Sequence, residues 1–177
     1  NTAVGTDAMV LNTEGVDNVA VGREALDANL VGDTNTAIGT SALGAFIGSS
    51  AVGVGREALR DLNHTDALGS VAVGTGAGAS LTSGQGNVAI GYQALDAEDD
   101  GDYNTAVGFR ALKAQTGTTG EVSNTAVGYQ AAIAITKGKH NVAIGANALA
   151  TEDVGDTSTA VGYYALYSQL SDGDNEE

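Results

Sequence analysis

The chain has 177 residues, 42% of them hydrophobic and only 5% aromatic, with 26 glycines and no proline, cysteine or tryptophan. That apolar fraction excludes a disordered chain, the lack of cysteine excludes disulfides and thiolate metal sites, and a formal charge of −15 argues against nucleic acid and anionic lipid as partners. No run of about 18 apolar residues is present to insert into a bilayer, and no leader opens the chain, which starts inside a repeat at Asn1-Thr2-Ala3-Val4-Gly5 and reads as a piece of a longer protein.

From the N-terminus onward one phrase, A-[VI]-G, recurs with its glycine at Gly5, Gly22, Gly39, Gly55, Gly74, Gly91, Gly108, Gly128, Gly145 and Gly162. The steps are 17, 17, 16, 19, 17, 17, 20, 17 and 17 residues. Gly55 rather than Gly53 is the fourth member, because Gly55-Arg56-Glu57-Ala58-Leu59 repeats Gly22-Arg23-Glu24-Ala25-Leu26. Each unit reads [NS]-[TV]-A-[VI]-G-x-x-A-L and then a polar stretch, which is the signature of a repeat architecture. The phrase alternates with period two, so each copy predicts a strand. Thr or Val and then Val or Ile share one face, expected to fill the core, while Ala and Gly leave the other face flat for a sister chain.

Ala94-Leu95, Ala111-Leu112 and their equivalents predict a second short strand after a bend at the glycine. Arg23 to Leu30 and Arg56 to Leu62 have helical propensity. The equivalent slots Thr75-Gly76-Ala77-Gly78 and Tyr163-Tyr164-Ala165-Leu166 do not, and stacked units share one conformation, so the strand reading prevails. The fold class is therefore all-β: a β-solenoid, or β-roll, of about ten coils of ~17 residues and roughly 48 Å long, in one domain over residues 1–167. Residues 168–177 form an acidic tail or the start of another segment. Coils also resemble their third successors, so a single-chain pseudo-threefold prism with a full turn of about 53 residues is the alternative to stacked 17-residue coils.

Candidate chemistry is sparse. Asp96, Glu98, Asp100 and Asp102 crowd one turn and Glu152, Asp153 and Asp156 another; carboxylates so close call for water or a cation, and calcium takes such oxygen donors. The spacing is not an EF-hand. Carboxylate pairs also serve glycoside hydrolysis, but Gly-rich turns offer little to raise the pKa of an acid, and no serine has a histidine nearby for a nucleophilic triad, so no catalytic residue is assigned. His64 and His140 lack metal-ligand spacing, and Gly74-Thr75-Gly76-Ala77-Gly78 lacks the lysine of a phosphate loop. The slot after each repeat glycine holds Tyr92, Phe109, Tyr129 and Tyr163 in the C-terminal half, an aromatic ladder that serves packing or offers a platform for sugar rings or another protein. A Thr column at Thr2, Thr36, Thr105, Thr125 and Thr159 suits ice binding, but Val19, Val71, Val88 and Val142 interrupt it. The longer loops, Arg60 to Ser70 and Gln115 to Ser123, are the expected recognition surface.

The phrases "NVAIGYQAL" at Asn87 to Leu95, "SVAVGTGAGAS" at Ser70 to Ser80 and "NVAIGANAL" at Asn141 to Leu149 resemble the head repeats of trimeric autotransporter adhesins. "NTAVGYQA" and "NTAVGFRAL" also resemble repeats of bacteriophage tail fibres. The resemblance implies a left-handed β-roll assembled as a parallel homotrimer, extracellular on a cell or virion surface. It implies a non-enzymatic head that attaches to a host surface protein or glycan, with a structural shaft segment as the alternative and a polysaccharide-depolymerising fibre enzyme as a more remote one. The units are longer than the adhesin pattern, and the surplus falls in the turns.

Overall fold

The three residues before each repeat glycine are small or β-branched, and in the computed structural model, which describes residues 1–65, 67–116 and 120–169, each such triplet is a strand. They are β1 (Thr2–Val4), β2 (Val19–Val21), β3 (Thr36–Ile38), β4 (Val52–Val54), β5 (Val71–Val73), β6 (Val88–Ile90), β8 (Thr105–Val107), β10 (Thr125–Val127), β11 (Val142–Ile144) and β12 (Thr159–Val161). Two shorter strands, β7 (Gly101–Asp102) and β9 (Gly120–Glu121), pair with each other in the turns. Among the described residues there is no helix, hence none long and apolar enough to cross a membrane. The expected tail at 168–177 lies outside the described residues from 170 on, as does part of both long loops.

Each triplet pairs in parallel with the triplet of the next coil, in the order β1-β2-β3-β4-β5-β6-β8-β10-β11-β12. Thr36 meets Val52 and Ile38 meets Val54, which places Gly55, not Gly53, in the glycine column. The chain is thus a parallel β-solenoid whose full turn is one repeat unit of about 17 residues. The prism with a turn of about 53 residues is ruled out, because every triplet bonds to its immediate successor rather than its third.

The strand faces are the reverse of the expectation. The middle alanines Ala20, Ala37, Ala72, Ala89, Ala106, Ala126, Ala143 and Ala160 are buried, while Val21, Ile38, Val73, Ile90, Val127 and Ile144 are exposed on the outer face. The reason is the width of the interior. In β4 glycine replaces alanine, and a methyl built on Gly53 would lie only 3.1 Å from both Leu43 Cγ and the Ala58 carbonyl oxygen. A gap that barely takes a methyl has no room for valine. Opposite the alanines stands a column of fully buried leucines, Leu26, Leu43, Leu59, Leu95, Leu112 and Leu149. Burial stabilises each by about 1.5–3 kcal/mol.

The leucine segment is also not the second strand that its pattern suggested. After Gly22 the backbone takes positive φ at every second residue, 55° at Glu24 and 53° at Leu26, and the Ala25 N–H closes a turn on the Gly22 carbonyl. Inter-coil bonding survives the distortion: the Glu24 N–H donates to Thr6 O of the preceding coil and the Leu26 N–H to Ala42 O of the following one, at 2.9 and 3.0 Å. Two ladders of such bonds compensate a backbone region that non-glycine residues ordinarily avoid.

Two columns lock the coils at the corners. The repeat glycines stack so closely that a Cβ on Gly108, at φ 137°, would sit 2.3 Å from Gly128 O. Inside, the asparagine that opens each unit forms a ladder: Asn87 Oδ1 accepts the Asn104 N–H at 2.8 Å, and Asn87 Nδ2 donates to Gly101 O at 2.8 Å. Asn18, Asn35, Asn124 and Asn141 repeat both bonds, and the serine at Ser70 makes longer versions at 3.3 Å.

Candidate functional site

Because the interior is filled by the alanine and leucine columns and the residues that cap the turns, chemistry and recognition must use the outer surfaces. The outer face of the ten-stranded sheet carries two columns. One is partly exposed Thr and Val; the other is the run from Val4 to Val161, with exposures of 36% at Val21 and 41% at Ile144. None of the thirty residues of these ten strands is charged, although the chain carries 22 acidic residues. The columns make an apolar strip about 43 Å long and roughly 10 Å wide from the strand spacing and rise. A continuous strip on that scale, roughly 430 Å², is comparable to the largest apolar patch that an ordinary soluble chain exposes. The Thr column considered for ice binding lies here, interspersed with Val as its sequence requires.

On the turn side the aromatic ladder forms in part. Tyr92 stacks on Phe109 with ring centroids 5.3 Å apart, and Phe109 on Tyr129 at 5.4 Å, with interplanar angles of 16° and 10°. Arg110 lies over Phe109, 5.0 Å from the ring centroid. Tyr163 does not join, because Ala146 occupies the intervening coil; it packs edge-on against Tyr164 at 4.4 Å. Stacked rings cover one another's faces, so only the two ends of the stack offer a ring face to a partner.

The seven carboxylates singled out as calcium donors are dispersed. Glu98 and Glu152 are fully buried seven residues after their repeat glycines, the slot that holds Phe46, Leu62, Leu81 and Ile135 in other coils. Glu98 Oε1 accepts the N–H groups of Asp99 and Gly101 at 2.9 and 2.8 Å, and Glu152 Oε1 accepts those of Asp153 and Gly155. Asn29, in the same slot, likewise accepts the Gly32 N–H at 3.0 Å, so the two glutamates cap turns. Burial pushes the Glu98 carboxyl above its ordinary range, opposed by the Gly101 and Asp99 N–H groups and by the side-chain amide of Gln115.

The other carboxylates bind neighbouring coils. Asp102 Oδ1 accepts the Gln85 N–H at 2.8 Å and Asp156 Oδ1 the Lys139 N–H at 2.6 Å. Asp100 accepts the Ser83 hydroxyl at 2.8 Å, and Asp153 accepts the Thr136 hydroxyl. Asp96 alone of the seven faces a groove on the turn side. No group of three or more His, Cys, Asp or Glu able to hold a metal ion occurs among the described residues.

Two features escaped sequence reasoning. The asparagine ladder was visible as the [NS] that opens each unit, but a polar residue beside a strand suggests a turn rather than a buried clamp. The buried glutamates could have been found by reading the column instead of the loop. Compared with known proteins, the chain matches no protein-family model, no curated protein and no solved structure.

Proposed function

We propose that this chain is a non-enzymatic, extracellular β-roll segment of a fibre or adhesin head, which assembles with two copies of itself and presents its turns to a host surface protein or glycan. The observation that carries the reading is the uncharged β-branched strip on the outer face of the sheet. A chain of net charge −15 repels its own kind over most of its surface, and the strip is where copies can meet without burying a carboxylate. One strip per chain, facing a common axis, suits closed cyclic assembly. The number three and a left-handed coil follow from the resemblance of the repeats to trimeric autotransporter adhesin heads. The unbroken register of ten coils equally suits a shaft that only spaces other parts.

Light scattering on the purified chain tests the assembly: the expected mass is about three times the 17.5 kDa of one chain. Ile90→Asp, an outward position at the middle of the strip, should give a folded monomer, because the change leaves the interior untouched. A wild-type monomer at micromolar concentration, or an Ile90→Asp protein that stays trimeric, would overturn the reading.

A further inference from the structure

The side chains on the turn face repeat from coil to coil until one coil omits them. Two residues after the repeat glycine stand Glu57, then Gly76, then Gln93; five after it stand Arg60, Ala79 and Asp96. The coil that begins at Gly74 therefore lies as a notch between two taller neighbours, and the notch is an open groove of about 230 Å³. Arg56, Glu57 and Arg60 form one wall, and Tyr92, Gln93 and Asp96 the other. Thr75, Gly76, Ala79 and Ser80 make the floor.

The fold does not require this glycine. Gly76 has φ 66°, and in the same slot Glu24, Ser41, Glu57, Gln93, Arg110 and Gln130 hold side chains at φ between 51 and 59°. A Cβ on Gly76 would meet Gln93 Cγ at 3.6 Å and Asp96 Oδ1 at 3.8 Å, ordinary contact distances. What the glycine does is keep the groove open.

The walls have a definite chemistry. Tyr92 is the first ring of the aromatic stack: Phe109 covers one face, and the other face looks toward the coil of Thr75 and Gly76. The Asp96 carboxylate accepts no hydrogen bond from any described residue, and burial raises its pKa, although Lys113, Arg60 and Arg110 oppose the shift. Gln93 Oε1 accepts Arg110 Nε–H at 3.2 Å, which leaves its amide N–H groups free to donate into the groove. Arg56 and Arg60 are held by Glu57 and Asp61 and have N–H groups to spare. Two guanidinium groups and two carboxylates among the lining residues balance, so this spot on a strongly acidic chain is locally neutral.

We propose that this groove binds one neutral hexose unit, free or at the end of a glycan, with the C–H face of the sugar on the open face of Tyr92 and its hydroxyls shared between Asp96, Gln93 and the two arginines. A pyranose has one apolar face and a rim of donors and acceptors, which matches an aromatic wall beside paired acceptor and donor groups. The volume lies below the about 300–1,000 Å³ of sites that enclose drug-sized ligands, and it suits a single ring. Because the groove sits on the turn face, away from the apolar strip, the inference stands independently of the trimer.

The test is ligand-detected saturation-transfer NMR on the full chain with methyl β-D-glucopyranoside, methyl β-D-galactopyranoside and methyl α-D-mannopyranoside, each at millimolar concentration as the weak affinity of a one-ring site demands. Transfer to the ring C–H protons of at least one sugar is expected. Gly76→Gln refills the notch and Tyr92→Ala removes the wall; both should bring the signal to background while the protein still melts cooperatively. Ser41→Gln, the same side chain in the same slot two coils away, should leave it unchanged. No transfer with any of the three sugars, equal transfer with Gly76→Gln, or transfer only to the anionic N-acetylneuraminic acid run alongside would overturn the proposal.

Discussion

Replacing Asn87 with alanine isolates the buried ladder from every other feature of the coil. The side chain is 1% exposed, and its loss leaves two buried groups without partners, the Asn104 N–H and the Gly101 carbonyl, each now bonded at 2.8 Å. A buried group orphaned in this way costs about 1–3 kcal/mol, so the pair costs roughly 4 kcal/mol. At about 2–4 °C per kcal/mol for a chain of this size, melting should fall by roughly 12 °C. Asn87→Ser should land between wild type and alanine, because Ser70 already makes both bonds at 3.3 Å rather than 2.8 Å. Thermal melts followed by circular dichroism give the ordering, and hydrogen exchange at the Asn104 amide gives the site. A melting point for Asn87→Ala within about 2 °C of wild type, or a serine variant as unstable as the alanine one, would refute the view that the ladder clamps the coils.

Two further substitutions address other columns. Gly108→Ala drives a Cβ to 2.3 Å from Gly128 O and 2.7 Å from its carbonyl carbon, both backbone atoms that cannot move aside, so the stack should part there. Loss of soluble folded protein, or melting in two steps, is expected, and a single wild-type-like transition would contradict it. Asp27, Asp96 and Glu98 are all raised by burial above the usual carboxylate range, so the folded chain holds protons that the unfolded chain has already released. Their contribution is present when they are protonated and is lost as pH rises through the raised folded-state pKa values, so melting temperature should climb as pH falls from neutral toward the ordinary carboxylate range. Glu98→Gln keeps the Oε1 acceptor and should flatten the slope; a melting temperature that drops on acidification would reverse the sign.

How far the sequence could be read depended on whether a residue's role is visible within one unit. The glycine spacing gave the coil, the register and the stack of Tyr92, Phe109 and Tyr129, because identical units must superpose. It did not give which strand face is inside. Period-two alternation defines two faces, and the usual rule that larger apolar residues go inward fails when the cavity is one methyl deep, as the 3.1 Å approaches at Gly53 show. Nor could it give the turn conformation of the leucine segment, since Glu24 and Leu26 at positive φ donate their own N–H groups to coils 17 or so residues away, and the one local backbone bond, from the Ala25 N–H to the Gly22 carbonyl, is long at 3.4 Å. Glu98 and Glu152 looked like surface donors because their neighbours in sequence are acidic, yet in the column Glu98 lies between the buried Leu81 and Gln115 and Glu152 follows the buried Ile135.

That inversion changes the physics of any assembly. With alanine outside, sister chains would meet through a shallow surface that offers close approach but little apolar area. With valine and isoleucine outside, each coil adds two β-branched side chains to one strip while the acids stay in the turns. Repulsion among those turns opposes every mode of association that brings them together, so the same charge that keeps chains apart sideways leaves the uncharged strip as the favoured approach. The tight gap between strand and leucine column is therefore the cause on which the outer surface depends: strands whose inward side admits only a methyl must display their valines and isoleucines, and ten coils in register display them as a continuous line.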